Sequence, residues 1–189
     1  VRSRRQRQMC IRDRPLILWL SLFITGCQAP DGIRPGHEVR TVTDSYGTEM
    51  VVPVHPERVV SVGVSTDDVL IPLLGTKRIV AIAELMPNLE KESEEIKGRI
   101  SGSTESVLQY APDLVVVPSW KSAEYVDEIR SAGIPVYVYQ MPVTTEKIIG
   151  MIHELADLVG EPENGNRLAQ KTEDRIRNLH NFLQTIPEL

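Results

Sequence analysis

Two hydroxyl side chains that could bind a ligand, Ser65 and Thr66, stand between an apolar segment, residues 58–64, and a predicted helix. Hydroxyls and unpaired N–H groups at the start of a helix suit the anionic groups of a ligand. The same residues also fit a structural role, because Ser65 as N-cap and Asp68 three residues later form an acidic variant of the capping box. The pattern therefore supports two interpretations, anion binding and helix capping.

Signatures of catalysis are missing around these hydroxyls. The segment Val62-Gly63-Val64-Ser65-Thr66 has neither the glycine pattern that binds a dinucleotide nor the one that binds a triphosphate, and the chain contains no Gly-x-Ser-x-Gly motif. We therefore expect no enzyme. An enzymatic or cofactor-binding domain on a doubly wound α/β sheet is the alternative, since fold alone does not separate these functions.

The histidines and paired carboxylates show no pattern typical of metal or acid–base chemistry. None of the four histidines is expected at the carboxyl end of a strand, where open α/β sheets bind ligands. These residues are His37, His55, His153 and His180. The pairs Asp67-Asp68 and Glu94-Glu95 are explained more simply as charges at a helix start and on a solvated face.

Composition and charge exclude nucleic acid as a partner. The chain has 189 residues, of which 41% are hydrophobic and 25% charged, as is typical of a globular domain. Its net charge is −5, yet six arginines and only one acidic residue, Asp13, lie within residues 1–26, so the remainder is more acidic still. An acidic surface binds a phosphate backbone poorly, and an aromatic content of 5% leaves few rings for stacking on bases.

The N-terminal segment has the order of a secretory signal. An apolar run at residues 16–24 follows basic residues and is too short to span a bilayer. The sequence Ile24-Thr25-Gly26-Cys27 resembles the lipobox of bacterial lipoproteins, which implies cleavage before Cys27 and a lipid on its thiol; a buried strand ending in Gly-Cys is the alternative. We expect a signal peptide at 1–26, of which 1–14 look non-native, and a tether at 27–38.

The elements that must position Ser65 and Thr66 alternate between strands and helices. A β-hairpin is predicted first, at 39–44 and 49–54, and is followed by buried strands and short helices. Such alternation predicts an α/β fold, in which a mainly parallel sheet is flanked by helices. The strands are expected at 58–64, 78–83, 113–117 and 135–139, and the helices at 65–74, 103–110 and 122–132, all within an N-terminal lobe at 39–143.

Residues 144–189 show only helical periodicity. One helix is predicted to end at Gly160-Glu161-Pro162, and a long polar helix with a narrow apolar stripe follows at 163–183. A helix with so narrow a stripe needs a partner surface. We therefore expect the natural protein to continue beyond Leu189 into a second lobe that this sequence does not contain.

Four short motifs occur in the order and spacing of one protein family. They are residues 53–61, Leu74-Gly75, residues 111–115 and residues 132–136. Together they resemble the N-terminal lobe of the class III periplasmic binding proteins, the iron-siderophore, haem and cobalamin receptors of ABC importers. The resemblance implies two α/β lobes joined by a long helix, with the ligand bound between the lobes. The helix that starts near Glu163 is similar to that connector.

The resemblance also assigns roles to particular residues. Glu105, in a short helix, matches a glutamate that docks against permease arginines, although a first-turn carboxylate also stabilises a helix start. Trp120 and Gln140 follow the third and fourth buried strands and, with Ser65 and Thr66, are the candidate ligand contacts. Trp120 alone also fits a role in covering the rim of the sheet.

The expected function is capture of an iron chelate (a siderophore or haem) or a cobalamin-type corrinoid, and its delivery to an ABC permease with its ATPase. We expect a monomer, and the lipobox-like sequence implies a lipid anchor at the extracytoplasmic face of the cell membrane. We expect no resident cofactor; the iron or cobalt of the expected ligands belongs to the transported molecule. A zinc or manganese receptor is a second alternative, and that family holds its metal with histidines at strand ends.

Overall fold

The β-hairpin is the first element of the structure, a computed structural model that describes residues 36–84 and 95–185. Strand β1 (Val39–Thr43) pairs antiparallel with β2 (Glu49–Pro53), which confirms the predicted hairpin, and its register places Val39 opposite Pro53. The predictions for Cys27 and for most of the tether lie outside the described residues.

Five parallel strands form the central sheet in the order β5-β4-β3-β6-β7. The prediction of a mainly parallel sheet is thereby confirmed. The edge strand β5 was not predicted, because it has two residues and follows a polar segment. The strands are β3 (Val59–Ser61), β4 (Ile79–Ala83), β5 (Arg99–Ile100), β6 (Leu114–Pro118) and β7 (Val136–Tyr139).

Helices cover both faces of this sheet. Helices α1 (Val64–Arg78), α4 (Thr145–Leu158) and α5 (Pro162–Gln184) pack on one face, and α2 (Glu105–Leu108) and α3 (Ala123–Ser131) pack on the other. Successive residues of β6 point into alternate cores, so the whole strand is apolar. Among the described residues, no helix combines the length and apolar character needed to cross a membrane.

The junction between β3 and α1 differs from its prediction. Strand β3 ends at Ser61, and Gly63 is the N-cap of α1. The Gly63 carbonyl accepts hydrogen bonds from the N–H groups of Thr66 and Asp67 at 3.0 Å each. Ser65 is therefore inside the helix, and its prediction as N-cap is wrong. At the other end, Gly75 has a φ of +64° and interrupts the helical conformation where the sequence predicted a stop.

One end of the sheet is held by side chains of the predicted motifs. The carboxylate of Asp113 accepts hydrogen bonds from the backbone N–H groups of Glu57 at 2.8 Å and Arg58 at 3.0 Å. The Arg58 guanidinium in turn donates to the carbonyl of Ala111 at 2.9 Å. These bonds join the starts of β3 and β6, which we call the amino edge of the sheet.

The long helix α5 is buried only near its start. Gly165 and Ala169 pack against α4, whereas Leu179, Phe182 and Leu183 are each more than 60% exposed. The narrow stripe predicted from the sequence is thus covered in its first half and open to solvent in its second.

Candidate functional site

The carboxyl ends of the neighbouring strands β3 and β6 lie side by side at the opposite edge of the sheet, which we call the carboxyl edge. After β3 the chain enters α1 on one face, and after β6 it enters α3 on the other. Connections that diverge in this way leave a ligand-binding crevice in open α/β sheets. Gly63 lies at its base, because a Cβ atom there would be 3.3 Å from both Pro118 Cγ and the Tyr139 hydroxyl.

Ser65 lies beside this crevice and is held by a neighbouring strand. Its Oγ is 2.6 Å from the hydroxyl of Tyr139, at the end of β7, and 3.5 Å from Met141 Sδ. The side chain of Ser65 is half-buried, so part of it remains accessible. Ligand contact by Ser65 stays a prediction that this position permits.

Thr66 is enclosed, in contrast to its neighbour. It is 0% exposed; its hydroxyl donates to the Gly63 carbonyl at 2.6 Å and accepts from Ser61 Oγ at 2.7 Å. Both hydrogen bonds stabilise the β3–α1 junction. No part of the Thr66 side chain reaches the surface in this structure, so its burial does not favour ligand contact by Thr66, which remains a prediction.

Asp67 occupies the first turn of α1 with a fully buried carboxyl group. Neither of its oxygens makes a hydrogen bond of ordinary geometry with the residues that the structure describes, although the Ser61 hydroxyl and the backbone of Ala83 are close enough to favour the charged form. Burial raises the pKa of Asp67 to about 7. The sequence predicted an exposed helix-start charge here, and only Asp68 is exposed.

Trp120 and Lys121 form the rim of the crevice on the β6 side. The indole of Trp120 is 63% exposed, and the Lys121 ammonium lies 5.1 Å from the centre of its ring. The same ammonium lies 4.5 Å from the ring centre of Tyr125, in α3. Trp120 is thus presented at the carboxyl edge, as expected for a candidate ligand contact.

The turn of the β-hairpin completes the rim and brings in a residue that sequence reasoning missed. The Tyr46 hydroxyl donates to the Ser119 carbonyl at 2.6 Å, and the Gln140 N–H donates to Ser45 Oγ at 2.9 Å. Tyr46 is 61% exposed, and the side chain of Gln140 is exposed beside the turn. The sequence identified this turn, but no local pattern indicates where a hairpin docks.

Glu105 stands apart from the crevice. It begins α2, behind the edge strand β5, which β4 separates from β3. Its side chain is exposed, and hydrogen bonds from its own backbone N–H and from the Ser103 hydroxyl lower the pKa of the carboxyl group. Thr104, the residue before it, donates to Glu128 in α3 at 2.8 Å. An exposed, ionised carboxylate is the form that a docking contact requires.

Within residues 36–84 and 95–185, no cluster of three or more histidine, cysteine, aspartate or glutamate side chains could hold a metal ion. The carboxyl edge presents aromatic rings, hydroxyls, an amide and the Lys121 ammonium, together with exposed carboxylates such as Glu124 in the first turn of α3. Such a set can stack on a flat ligand and hydrogen-bond its polar groups.

Comparison with known proteins gives a family and a fold. The sequence profile described as "Periplasmic binding protein" matches residues 59–188. No curated protein matches the chain significantly.

Several solved structures share this fold at low identity. A variant of the haem-binding protein HmuT is 22% identical, with a TM-score of 0.67 over 83% of this chain and 52% of that one. A periplasmic haem-binding protein from Pseudomonas aeruginosa is 19% identical, with a TM-score of 0.59 over 68% and 47%. The molybdate-binding protein MolA from Haemophilus influenzae is 20% identical, with a TM-score of 0.64 over 78% and 55%. The chain thus spans about half the length of these structures.

Proposed function

The chain belongs to the periplasmic binding protein family, and on that premise we propose that it forms the N-terminal lobe of a receptor that delivers its ligand to an ABC permease with its ATPase. The observation that carries this proposal is the crevice at the carboxyl edge, bordered by the exposed rings of Tyr46 and Trp120. One lobe offers one side of a binding site, and a second lobe closes over the ligand.

The proposed ligand is a large chelate with a flat or aromatic part, either an iron chelate (a siderophore or haem) or a cobalamin-type corrinoid. Two exposed rings at one rim suit such a ligand, because an aromatic face gains area and dispersion energy against another flat surface. Two of the similar structures are described as haem-binding. Molybdate, which the third binds, is the second candidate and needs polar groups rather than rings.

The mechanism we propose involves no bond-making. The ligand binds the closed arrangement of the two lobes more tightly than the open one, and this difference drives closure. Docking to the permease then uses Glu105, whose exposed carboxylate lies apart from the crevice. A carboxylate in that position can accept the paired N–H groups of an arginine without touching the ligand.

Lipidation of Cys27 would hold this receptor at the extracytoplasmic face of the membrane. The support is the lipobox-like sequence Ile24-Thr25-Gly26-Cys27 ahead of a segment rich in proline and glycine. Expression with a native start codon tests the anchor: the wild type should partition with the membrane, and Cys27→Ala should appear in the soluble fraction. Equal release of both forms would contradict it.

Ligand titration of the complete protein tests the binding role. Haemin, ferric siderophores and cobalamin are followed by their own absorbance, so that no tryptophan is needed as a reporter. Trp120→Ala should weaken binding of the preferred ligand by about tenfold, as expected for loss of a stacked ring. Phe182→Ala is the matched control, because Phe182 is equally exposed, at 62%, but lies near the end of α5. Wild-type affinity in the Trp120 variant would contradict a ligand site at this rim.

A further inference from the structure

Hydrogen bonds on both sides of Lys121 hold its backbone at the carboxyl edge. Its N–H donates to the Pro118 carbonyl at 3.1 Å, which closes a turn at the end of β6. The next residue, Ser122, is the N-cap of α3 and accepts a hydrogen bond from the Tyr125 N–H at 3.3 Å. The backbone position from which the Lys121 side chain extends is therefore fixed relative to the crevice.

Two rings hold the ammonium group of Lys121. It lies 4.5 Å from the ring centre of Tyr125, which is buried, and 5.1 Å from that of Trp120, which is exposed. Attraction between a cation and the faces of two rings stabilises this position. Because an ammonium has three N–H donors, contact with two ring faces still leaves a donor available for an acceptor on the ligand.

No carboxylate lies within ion-pair distance of Lys121 in the described part of the chain, whereas two other half-buried cations there are paired with carboxylates. Arg78 pairs with Glu161 at 2.6 Å, and Arg130 pairs with Asp44 at 2.8 Å. Both arginines thereby join elements of the fold. Lys121 makes no such ion pair, yet it is placed between rings next to the proposed ligand site.

We propose that Lys121 selects ligands that carry an anionic group beside a flat or aromatic face. The inference rests on the proposed function and further specifies that the ligand carries a negative charge. A flat ligand stacked on Trp120 would bring a carboxylate or phenolate at its periphery within reach of the ammonium, which lies 5.1 Å from the ring centre. Haem, with two propionates, and ferric catecholates meet this requirement, whereas a ligand with a neutral amide periphery does not.

Two pairs of probes that differ in charge test the proposal on the complete protein. The first pair is haemin and its dimethyl ester; the second is a ferric tris-catecholate and a neutral ferric tris-hydroxamate. Lys121→Met should weaken binding of the anionic member by about fivefold at low salt, as for a partly exposed ion pair. High salt should reduce the difference between wild type and variant, and the neutral member should bind both equally.

Two further variants separate charge from structure. Lys121→Arg should retain binding of the anionic probe, and Lys171→Met, on the exposed face of α5, should bind as the wild type does. Three results would overturn the proposal. Lys121→Met could weaken binding of both probes in a pair equally, or weaken binding of neither, or the wild type could bind the neutral probe more tightly. A wild-type protein that binds none of the four probes would instead contradict the proposed function, and the assignment of Lys121 with it.

Discussion

The carboxylate of Asp44 accepts a hydrogen bond from the Arg130 guanidinium at 2.8 Å, and this ion pair joins the turn of the β-hairpin to the end of α3. The other carboxylate oxygen accepts from the N–H groups of Tyr46 and Thr48 at 2.9 Å each. The Asp44 side chain is fully buried, so the acceptor end of all three bonds lies away from water.

Replacing Asp44 with alanine should therefore lower the free energy of unfolding by about 2–3 kcal/mol, since the Arg130 guanidinium and two backbone N–H groups would lose a buried acceptor. Urea denaturation measures the change. The control is Asp174→Ala, because the Asp174–Arg177 pair at 3.0 Å is exposed and its loss should cost less than about 0.5 kcal/mol. Equal effects of the two substitutions would show that burial of the Asp44 pair contributes nothing.

Replacing Asp67 with asparagine should remove a pH dependence of stability. The pKa of this buried carboxyl group is about 7 in the fold, against an ordinary value of 3.8. Between about pH 4 and pH 7 the unfolded chain is ionised while the folded one holds the proton, so wild-type stability falls as pH rises, by at most about 1.4 kcal/mol per pH unit.

Thermal unfolding of Asp67→Asn at pH 5 and pH 8 measures this effect. The wild type should lose stability between these two values, and the variant should lose less and be the more stable of the two at pH 8. Asp127→Asn, at an exposed position of α3, should keep the wild-type dependence. An unchanged pH profile in the Asp67 variant would contradict the assignment.

Two glycines test how closely α4 and α5 approach each other. A Cβ atom at Gly165 would lie 2.3 Å from the Cβ of Ala156, whereas one at Gly150 meets nothing within 4 Å. Gly165→Ala should therefore destabilise the fold by about 1–3 kcal/mol through overpacking. Gly150→Ala should stabilise it by up to about 1 kcal/mol, because alanine favours the helix. Thermal unfolding of the two variants should give shifts of opposite sign, and shifts of the same sign would contradict this packing.

Glu105 and Glu124 are matched glutamates at two helix starts. Each is exposed, and hydrogen bonds from its own N–H and from the hydroxyl of the serine two residues earlier lower the pKa of each carboxyl group. If Glu105 docks to the permease, Glu105→Ala should reduce ligand uptake by cells without changing ligand affinity, and Glu124→Ala should change neither. Uptake at the wild-type rate in the Glu105 variant would contradict docking, and Glu105 would then serve only to stabilise the start of its helix.

The strands and their parallel arrangement could be predicted because their cause is local. Residues such as Val115 and Val116 are consecutive and apolar, which is required where both faces of a strand are covered by helices. Strand β5 could not be predicted in this way, since two residues carry no periodicity. Its pairing with β4 depends on the neighbouring strand being in place.

The site residues were less predictable because their exposure depends on distant parts of the chain. Ser65 and Thr66 are adjacent hydroxyls, yet only Ser65 is accessible, and the difference arises from which side of α1 faces the sheet. Tyr46 reaches the crevice through a bond to Ser119, 73 positions away. Trp120 was identified correctly as a residue at the carboxyl edge because it directly follows a recognisable strand.

The hydrogen bonds of Asp113 and Arg58 join strands at the amino edge of the sheet. They also bear on how such a receptor can evolve. They lie at the opposite end of the sheet from Tyr46, Trp120 and Gln140, so mutations at these three positions leave them intact. Selection can therefore diversify the rim while the scaffold persists, much as antibody loops vary on a constant framework. A combinatorial library restricted to these three codons would sample new ligand preferences in variants that mostly still fold.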